Sequence, residues 1–224
     1  MTKTQYKCIF LVSSMITPTI QKFFTPEERF QQTIKTAESI RKYCENSYCI
    51  LIEGSVLNKE KCDILQSYFD IILNYGNTPD IIPFVSNINV GCGEQKLLEK
   101  GIEYIEEYLF DKIETEYIIK LGGRYELNNN FDINKFDKNK YNFYEEFDNN
   151  GNSLNVYTTG LYSIPVYDIS FFKNKLKEAA DFLYNNHNMI EKFFFDNINK
   201  DKVRKHNILG LSGRLNYNGH FFEK

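Results

Sequence analysis

Short apolar runs alternate with helical patterns along the first half of this 224-residue chain, and this alternation constrains the fold most. Residues 7–13 (KCIFLVS) and 48–53 (YCILIE) are continuous apolar runs, as expected of strands that are covered on both faces. Between them, Thr25-Pro26-Glu27-Glu28 begins a helix with a capping box. A helical segment at 58–69 and a strand at 70–75 extend the order to β-α-β-α-β. This order predicts a parallel sheet with crossover helices.

The second half of the chain has a different pattern. A helix at 93–110 and a fourth buried strand at 117–121 lead to Gly122-Gly123. Segments 141–147 and 154–164 then flank Asp148-Asn149-Asn150-Gly151, a sequence typical of a turn between antiparallel strands. Helices are expected at 168–184 and 189–198. We therefore predict one Rossmann-related α/β domain over residues 1–224, with a mostly parallel central sheet and a C-terminal antiparallel hairpin plus helices.

Composition and charge exclude several classes of protein. The net charge of -3 argues against a nucleic-acid partner, because no general positive field is available to release counterions. Five cysteines, without a C-x-x-C pair, favour reduced thiols in the cytoplasm over a disulfide framework or a zinc site. No segment approaches the roughly 20 apolar residues of a membrane helix. We expect a cytoplasmic protein with no membrane span.

Candidate binding residues follow the predicted strands, because ligands of open parallel sheets bind beyond the carboxyl ends of the strands. These residues are Ser13, Ser14, Glu53, Lys120, Gly122, Gly123 and Arg124. Glu53 is a candidate to accept hydrogen bonds from a ribose or a base, and the glycines would allow close backbone approach. Lys120 and Arg124 would suit a diphosphate, to which an arginine can donate two hydrogen bonds. The alternative is that strand ends are polar and glycine-rich simply because the chain turns there.

Other candidates lie near helix starts. Gly91-Cys92-Gly93-Glu94 opens a helix whose free N–H groups favour an anion, so Gly93 and Lys96 are candidate ligand contacts. A similar glycine-containing sequence is the first motif of S-adenosylmethionine-dependent methyltransferases, where it would have to follow an apolar first strand. Glu191 is an acid within an apolar helix, where it is either a general base facing a cleft or a solvent-exposed residue. The glycine-containing tail 210–220 is either a lid or a loosely packed terminus.

Several segments together resemble a known family. They are CIFLVSS, TPEERFQQTIKTAESIRKY before YCILIEGS, YIIKLGGRYELNNNFD, VYTTGLYSIP and MIEKFFF. These segments, within residues 7–220, are similar to GT-A-type glycosyltransferase-like proteins of the divergent type found in bacterial polysaccharide loci and large DNA viruses. The resemblance implies transfer of a sugar from a nucleotide-diphosphate donor to a glycan or other hydroxyl acceptor. It places the nucleotide over residues 1–123 and the acceptor over residues 124–224.

The resemblance also implies an Asp-x-Asp that binds Mg²⁺ or Mn²⁺ after the fourth strand. This chain has Lys120-Leu121-Gly122-Gly123-Arg124 there, so no metal ligand is assigned, although Mg²⁺ or Mn²⁺ remains possible. The resulting hypothesis is that Lys120 and Arg124 stabilise the leaving diphosphate. The acceptor proton would pass to Glu191, with Glu126 as the second candidate. The alternatives are a non-catalytic nucleotide- or glycan-binding module and, third, the methyltransferase.

Overall fold

Strands and helices alternate along the chain in the computed structural model, which describes residues 2–20, 23–148, 150–186, 188–214 and 221–224. The first half contains β1 (Thr4–Ser14), α1 (Pro26–Tyr43), β2 (Ser47–Glu53), α2 (Lys59–Leu65), β3 (Ile71–Asn74), α3 (Ile82–Val85), α4 (Val90–Tyr104) and β4 (Ile113–Gly122). The second half contains β5 (Tyr125–Leu127), β6 (Tyr141–Phe147), β7 (Ser153–Tyr157), β8 (Leu161–Ile164), α5 (Ile169–Asn185), α6 (Ile190–Asn197), β9 (Val203–His206), β10 (Leu211–Arg214) and β11 (Phe221–Glu223).

The central sheet has the strand order β3-β2-β1-β4-β8-β6-β7, and β9 pairs with β6. The strands β3, β2, β1 and β4 are parallel to their neighbours, with Ser14 opposite Glu53 and Ser13 opposite Gly122. Because these strands are in register, their carboxyl ends form one edge. Beyond β4 the sheet turns antiparallel through β8, β6 and β7. A second, small sheet has the order β11-β10-β5.

Both faces of the parallel strands are covered, which explains their continuous apolar sequences. In β1, Ile9 and Leu11 belong to a core that includes α4, α5 and α6. Phe10 and Val12 belong to a second core with α1 and the small sheet. Helix α1 begins as predicted: Thr25 accepts a hydrogen bond from the backbone N–H of Glu28, and the Glu28 side chain accepts one from the backbone of Thr25.

The predicted fold class is confirmed: the chain is an α/β protein with a mostly parallel central sheet, an antiparallel β6–β7 hairpin and helices in its second half. Strands from both predicted halves share the sheet, because β4 pairs with β8, and this supports the proposal of one domain over residues 1–224. Asn149 of the predicted turn lies outside the described residues. No helix within the described ranges is both long enough and apolar enough to cross a membrane.

Three details differ from the sequence-based expectation. Between the strand predicted at 70–75 and the helix predicted at 93–110, the chain forms the additional helix α3, and its N-cap residue Ile81 is buried in the core. The expected strand 154–164 is divided into β7 and β8 at Thr158-Thr159-Gly160, so that β8 can pair with β4. At this break a Cβ on Gly160 would lie 2.9 Å from a methyl carbon of Leu211, so the chain bends where a larger residue would clash. The C-terminal region adds β9 in parallel to β6, a pairing between residues 62 positions apart that local patterning does not predict.

Candidate functional site

A cavity of about 640 Å³ opens at the carboxyl edge of the parallel strands. Its walls come from the end of β1, the start of α1, the first turn of α4, the end of β4, the start of α6 and the C-terminal strand. This volume lies within the range of about 300–1,000 Å³ that is typical of small-ligand sites. The position agrees with the rule for open α/β sheets, in which the crevice lies beyond the strand ends.

A buried ion pair forms the floor of this cavity. Lys120 on β4 and Glu94 on α4 both line it, and the Lys120 Nζ lies 2.8 Å from the Glu94 Oε1. The Lys120 side chain is 2% exposed and that of Glu94 is 28% exposed. The Lys120 ammonium also donates to the Thr159 carbonyl oxygen at 2.6 Å, and the Ser13 hydroxyl donates to Glu94 at 2.7 Å. The charge of Lys120 is therefore already matched by a carboxylate of the protein.

The ion pair with Lys120 affects the pKa of Glu94. Burial by itself raises the pKa of the Glu94 carboxyl, but the Lys120 ammonium, the Ser13 hydroxyl and the Arg124 charge outweigh it and hold the pKa below its usual value. Glu94 is consequently ionised at neutral pH, which keeps the ammonium of Lys120 paired. Alternation along β4 places Lys120 on the same face as Ile118, whose side chain belongs to the core with α4.

Two arginines add positive charge to the cavity. Arg124 follows β4, and Arg29 projects from α1; both line the cavity. Burial first, and then the charge of Arg124, lower the pKa of Arg29 to about 10, so the Arg29 guanidinium remains charged at neutral pH. The Arg124 guanidinium lies 5.2 Å from the centre of the Tyr125 ring. The charges of Arg29 and Arg124 thus repel one another, and both residues line the same cavity.

Glu191 lies in the first turn of α6 and also lines the cavity. Its carboxylate accepts a hydrogen bond from the Thr159 hydroxyl at 2.9 Å. Burial first, and then the nearby carboxylates of Glu94 and Glu146, raise the pKa of Glu191 above the usual value for a glutamate. A carboxyl group with a raised pKa inside a cleft is suited to accept a proton from a substrate hydroxyl.

Most of the predicted site residues line the cavity, namely Ser13, Ser14, Gly93, Lys120, Gly122, Gly123, Arg124 and Glu191. Lys96 does not line it: its Nζ pairs with the Glu99 carboxylate at 2.8 Å and lies over the Phe84 ring. Glu126 does not line it either, because it is exposed on β5, opposite Ser212 of β10. Whether the residues that do line the cavity bind a ligand stays a prediction.

Glu53 does not line the cavity but lies buried next to it, with 0% of its surface exposed. Its Oε1 accepts hydrogen bonds from the backbone N–H groups of Ile16 and Ser55, at 3.1 and 2.7 Å, and from the Ser55 hydroxyl. Burial raises the pKa of this carboxyl, although these hydrogen bonds oppose the rise. The residue predicted to contact a ribose therefore joins the loops that follow β1 and β2.

The contribution of Glu53 to the free energy of unfolding should decrease as pH rises. Because its pKa is higher in the folded chain than in the unfolded one, its contribution is complete below the unfolded value of about 4.3 and is lost as pH rises through the folded value. Urea unfolding of wild type and Glu53→Gln should be measured from below the unfolded pKa to above the folded one. The free energy of unfolding should decrease less with rising pH in the variant. Identical pH profiles for the two proteins would contradict this assignment.

The two glycines at the end of β4, Gly122 and Gly123, are explained by packing within the protein. A Cβ on Gly123 would lie 3.0 Å from the Ser13 carbonyl oxygen, which already accepts a 2.8 Å hydrogen bond from the Gly123 N–H. A Cβ on Gly122 would lie 3.0 Å from the Tyr125 ring. Gly-Gly thus allows the β4 end to approach β1 and Tyr125 closely, and this requirement holds without a bound ligand.

Sequence reasoning missed several residues that line the cavity, above all Arg29, Thr33, Glu146, Thr158, Thr159 and Lys224. Arg29 and Thr33 are four residues apart in α1 and both are buried. Residues four positions apart lie on the same face of a helix, so the sequence could have indicated that Arg29 and Thr33 lie together beside the apolar stripe of α1. The local sequence pattern does not predict that Lys224 lines the cavity, because Lys224 reaches it through the pairing of β11 with β10. There its Nζ lies 2.7 Å from the Glu146 Oε1.

The residues at the end of β4 do not fit the metal site implied by the resemblance. Mg²⁺ and Mn²⁺ require oxygen ligands, usually carboxylates, whereas this position presents the ammonium of Lys120 and the guanidinium of Arg124. The adjacent carboxylate, Glu94, is already bound to Lys120. Among the described residues, no group of three or more His, Cys, Asp and Glu side chains is arranged to hold a metal ion.

The remaining sequence-based alternatives concern Gly91-Cys92-Gly93 and the tail. Helix α3, rather than a first strand, precedes the glycines, so the context required by the methyltransferase motif is missing. A Cβ on Gly93 would lie 2.8 Å from the Val85 Cα, so this glycine allows α3 and α4 to pack closely. In the tail, residues 211–214 and 221–224 are β10, β11 and the terminal Lys224, whereas 215–220 lie outside the described residues.

Comparisons with solved structures identify similar folds. The galactosyltransferase LgtC, solved with donor and acceptor sugar analogues, superposes with a TM-score of 0.53 at 11% identity over 88% of this chain and 72% of its own. The apo form of the glycosyltransferase GlyE from Streptococcus pneumoniae TIGR4 gives a TM-score of 0.53 at 11% identity over 90% of this chain. This chain spans only 45% of GlyE. No protein-family model matches the sequence, and no curated protein matches it significantly.

These similarities are at the level of fold, since the sequence identities are close to 11%. They concern the α/β fold of this chain, with its mostly parallel central sheet. The resemblance inferred from the sequence is thereby confirmed for the architecture, and this chain has the fold of the GT-A-type glycosyltransferases.

Proposed function

We propose that this protein transfers a sugar from a nucleoside-diphosphate donor to a hydroxyl group of a glycan or another acceptor. The observation that carries the proposal is one cavity in a GT-A-type fold that contains both a carboxyl group of raised pKa, Glu191, and a guanidinium group, Arg124. Glycosyl transfer needs both functions, since a proton must leave the acceptor while negative charge develops on the diphosphate.

The chemical step is a direct displacement at the anomeric carbon. Glu191 accepts the proton of the acceptor hydroxyl, and the acceptor oxygen forms a bond to the anomeric carbon. The bond between that carbon and the diphosphate oxygen breaks, and its electron pair stays on the diphosphate. The Arg124 guanidinium faces the developing negative charge, while the Lys120–Glu94 pair keeps the floor of the cavity in place. Glu126 has no role in this step, because it does not line the cavity.

The biological setting is part of the proposal. Sugar transfer by a chain of this fold is suited to polysaccharide biosynthesis, with a nucleotide-sugar as donor. The cytoplasm supplies such donors and keeps thiols reduced, in agreement with the free Cys8, Cys44, Cys49, Cys62 and Cys92, four of which are buried. The slightly acidic net charge of -3 does not favour nucleic acid as a partner.

A donor screen tests the proposal. Uridine, guanosine, cytidine and thymidine diphosphate sugars are tested first by thermal shift, and then for release of free sugar or nucleoside diphosphate, with Mn²⁺ and with EDTA. At least one donor should raise Tm and be turned over, and EDTA should leave the turnover intact. S-adenosylmethionine is the control ligand and should leave Tm unchanged.

A non-catalytic nucleotide- or glycan-binding module is the second candidate function. Its supporting observation is the missing pair of carboxylates after β4, where the chain has Lys120 and Arg124. Thermal stabilisation by a nucleotide-sugar without any turnover, with either Mn²⁺ or EDTA, would favour this module over the transferase. The absence of both stabilisation and turnover across the whole panel would contradict both functions.

A further inference from the structure

Two arginines from separate elements line the cavity. Arg29 comes from the first turns of α1 and is 6% exposed, whereas Arg124 follows the β4 strand. The Arg29 Nη1 donates to the Met15 carbonyl oxygen at 3.2 Å, which fixes the guanidinium group against the loop after β1. Arg29 is thus held in position by the fold before any ligand arrives.

Arg124 has hydrogen-bonding capacity that the described residues do not use. Its Nη1 is buried and has no hydrogen-bond partner among the described residues. Its Nη2 donates to the Tyr125 hydroxyl at a long distance of 3.4 Å. A buried donor of a charged group without an acceptor is destabilising, and an anion in the cavity would supply the missing acceptor.

Lys120 cannot supply the second cation for such an anion. Its ammonium already contacts the Glu94 carboxylate at 2.8 Å and the Thr159 carbonyl oxygen at 2.6 Å. The charge of Arg29 is repelled by that of Arg124, and this repulsion contributes to the lowered pKa of Arg29. An anion between the two guanidinium groups would remove this repulsion.

We propose that Arg29 and Arg124 form a metal-free diphosphate subsite, in which the two guanidinium groups bind the phosphate oxygens that a divalent cation would otherwise hold. The subsite rests on the proposed function for the identity of its anion, the diphosphate of a nucleotide donor. Guanidinium groups suit this ligand because their N–H groups match pairs of phosphate oxygens. Lys120 is assigned to the floor of the cavity and has no direct contact with phosphate.

Calorimetric titration with inorganic pyrophosphate in excess EDTA tests the subsite without knowledge of the nucleotide. Wild type should bind pyrophosphate, and Arg29→Gln and Arg124→Gln should each weaken binding by about 10- to 100-fold. The matched control is Arg204→Gln, on the exposed part of β9 and not among the residues that line the cavity. Its affinity should remain within about twofold of wild type.

A second readout separates binding from folding. Loss of the Arg124 charge removes both its repulsion with Arg29 and a buried donor without a partner, so Arg124→Gln without ligand should melt at or above the wild-type temperature. Pyrophosphate should raise the Tm of wild type and Arg29→Lys more than that of Arg124→Gln. Wild-type affinity in Arg124→Gln, or binding that disappears with EDTA, would overturn the subsite.

The same samples distinguish failure of the subsite from failure of the proposed function. If the two glutamine variants lose pyrophosphate binding but wild type transfers no sugar from any donor, the subsite stands and the transferase function is contradicted. If wild type transfers sugar and both variants bind pyrophosphate with wild-type affinity, the function stands and the arginine subsite is overturned.

Discussion

Glu191→Gln should reduce sugar transfer by at least about 100-fold while leaving donor binding nearly unchanged. A positioned general base contributes roughly 100- to 10,000-fold to a rate, and glutamine keeps the size of the side chain without accepting the proton. The side chain reaches the cavity from the first turn of α6, where its carboxylate contacts the Thr159 hydroxyl at 2.9 Å. The measurement is kcat with the donor identified in the screen, with donor Kd obtained separately by calorimetry.

The pH profile gives an independent check on this assignment. Because burial raises the pKa of Glu191, wild-type kcat should increase as pH rises through a value above the usual 4.3 or so of glutamate. Glu126→Gln, a change on the exposed face of β5, should keep both the rate and this profile. Loss of transfer in Glu126→Gln, together with full transfer in Glu191→Gln, would contradict Glu191 as the base.

Glu94→Met should destabilise the protein by about 3 kcal/mol, because removal of one partner from a buried ion pair leaves the other charge uncompensated. The uncompensated group is the Lys120 ammonium, whose side chain is 2% exposed. For a domain of this size, the loss corresponds to a decrease in Tm of roughly 6–12 °C. Urea unfolding at neutral pH measures the free energy, and the double variant Glu94→Met/Lys120→Met should recover most of it.

The pH dependence of the same pair has a defined sign. The pKa of Glu94 is lowered in the folded chain, so its stabilisation is present above the unfolded value of about 4.3 and is lost as pH falls through the folded value. Asp196→Asn is the control, since its pair with Lys192 is half exposed on both sides and should contribute less than about 1 kcal/mol. Equal stability of Glu94→Met and Asp196→Asn would contradict a structural role for the Lys120–Glu94 pair.

Much of the architecture can be predicted from the sequence because its signals are local. The two-sided apolar runs of β1 and β2 and the capping box before α1 each depend on adjacent residues. The division of the expected strand at Thr158-Thr159-Gly160, and the pairing of β9 with β6, could not be predicted in this way. Both depend on contacts between segments that are distant in sequence.

The same distinction between local and long-range contacts applies to the candidate site. The edge residues Ser13, Gly123 and Arg124 could be predicted, because strand ends in a parallel sheet meet at a known edge. The partners of charged groups could not: Lys120 is neutralised by Glu94 from α4, and Arg29 reaches the cavity from α1. Glu53 was predicted to contact a ligand because it lies at a strand end. In the structure it is buried and accepts hydrogen bonds from backbone N–H groups of the protein.

The central claim, that this cavity holds a nucleotide-sugar for transfer, is tested most directly by a crystal structure with the donor found in the screen, grown in the presence of EDTA. Diphosphate oxygens should lie within about 3 Å of the guanidinium groups of Arg29 and Arg124. The anomeric carbon should face the part of the cavity lined by Glu191. A donor bound outside this cavity, or one with its diphosphate remote from both arginines, would contradict the account.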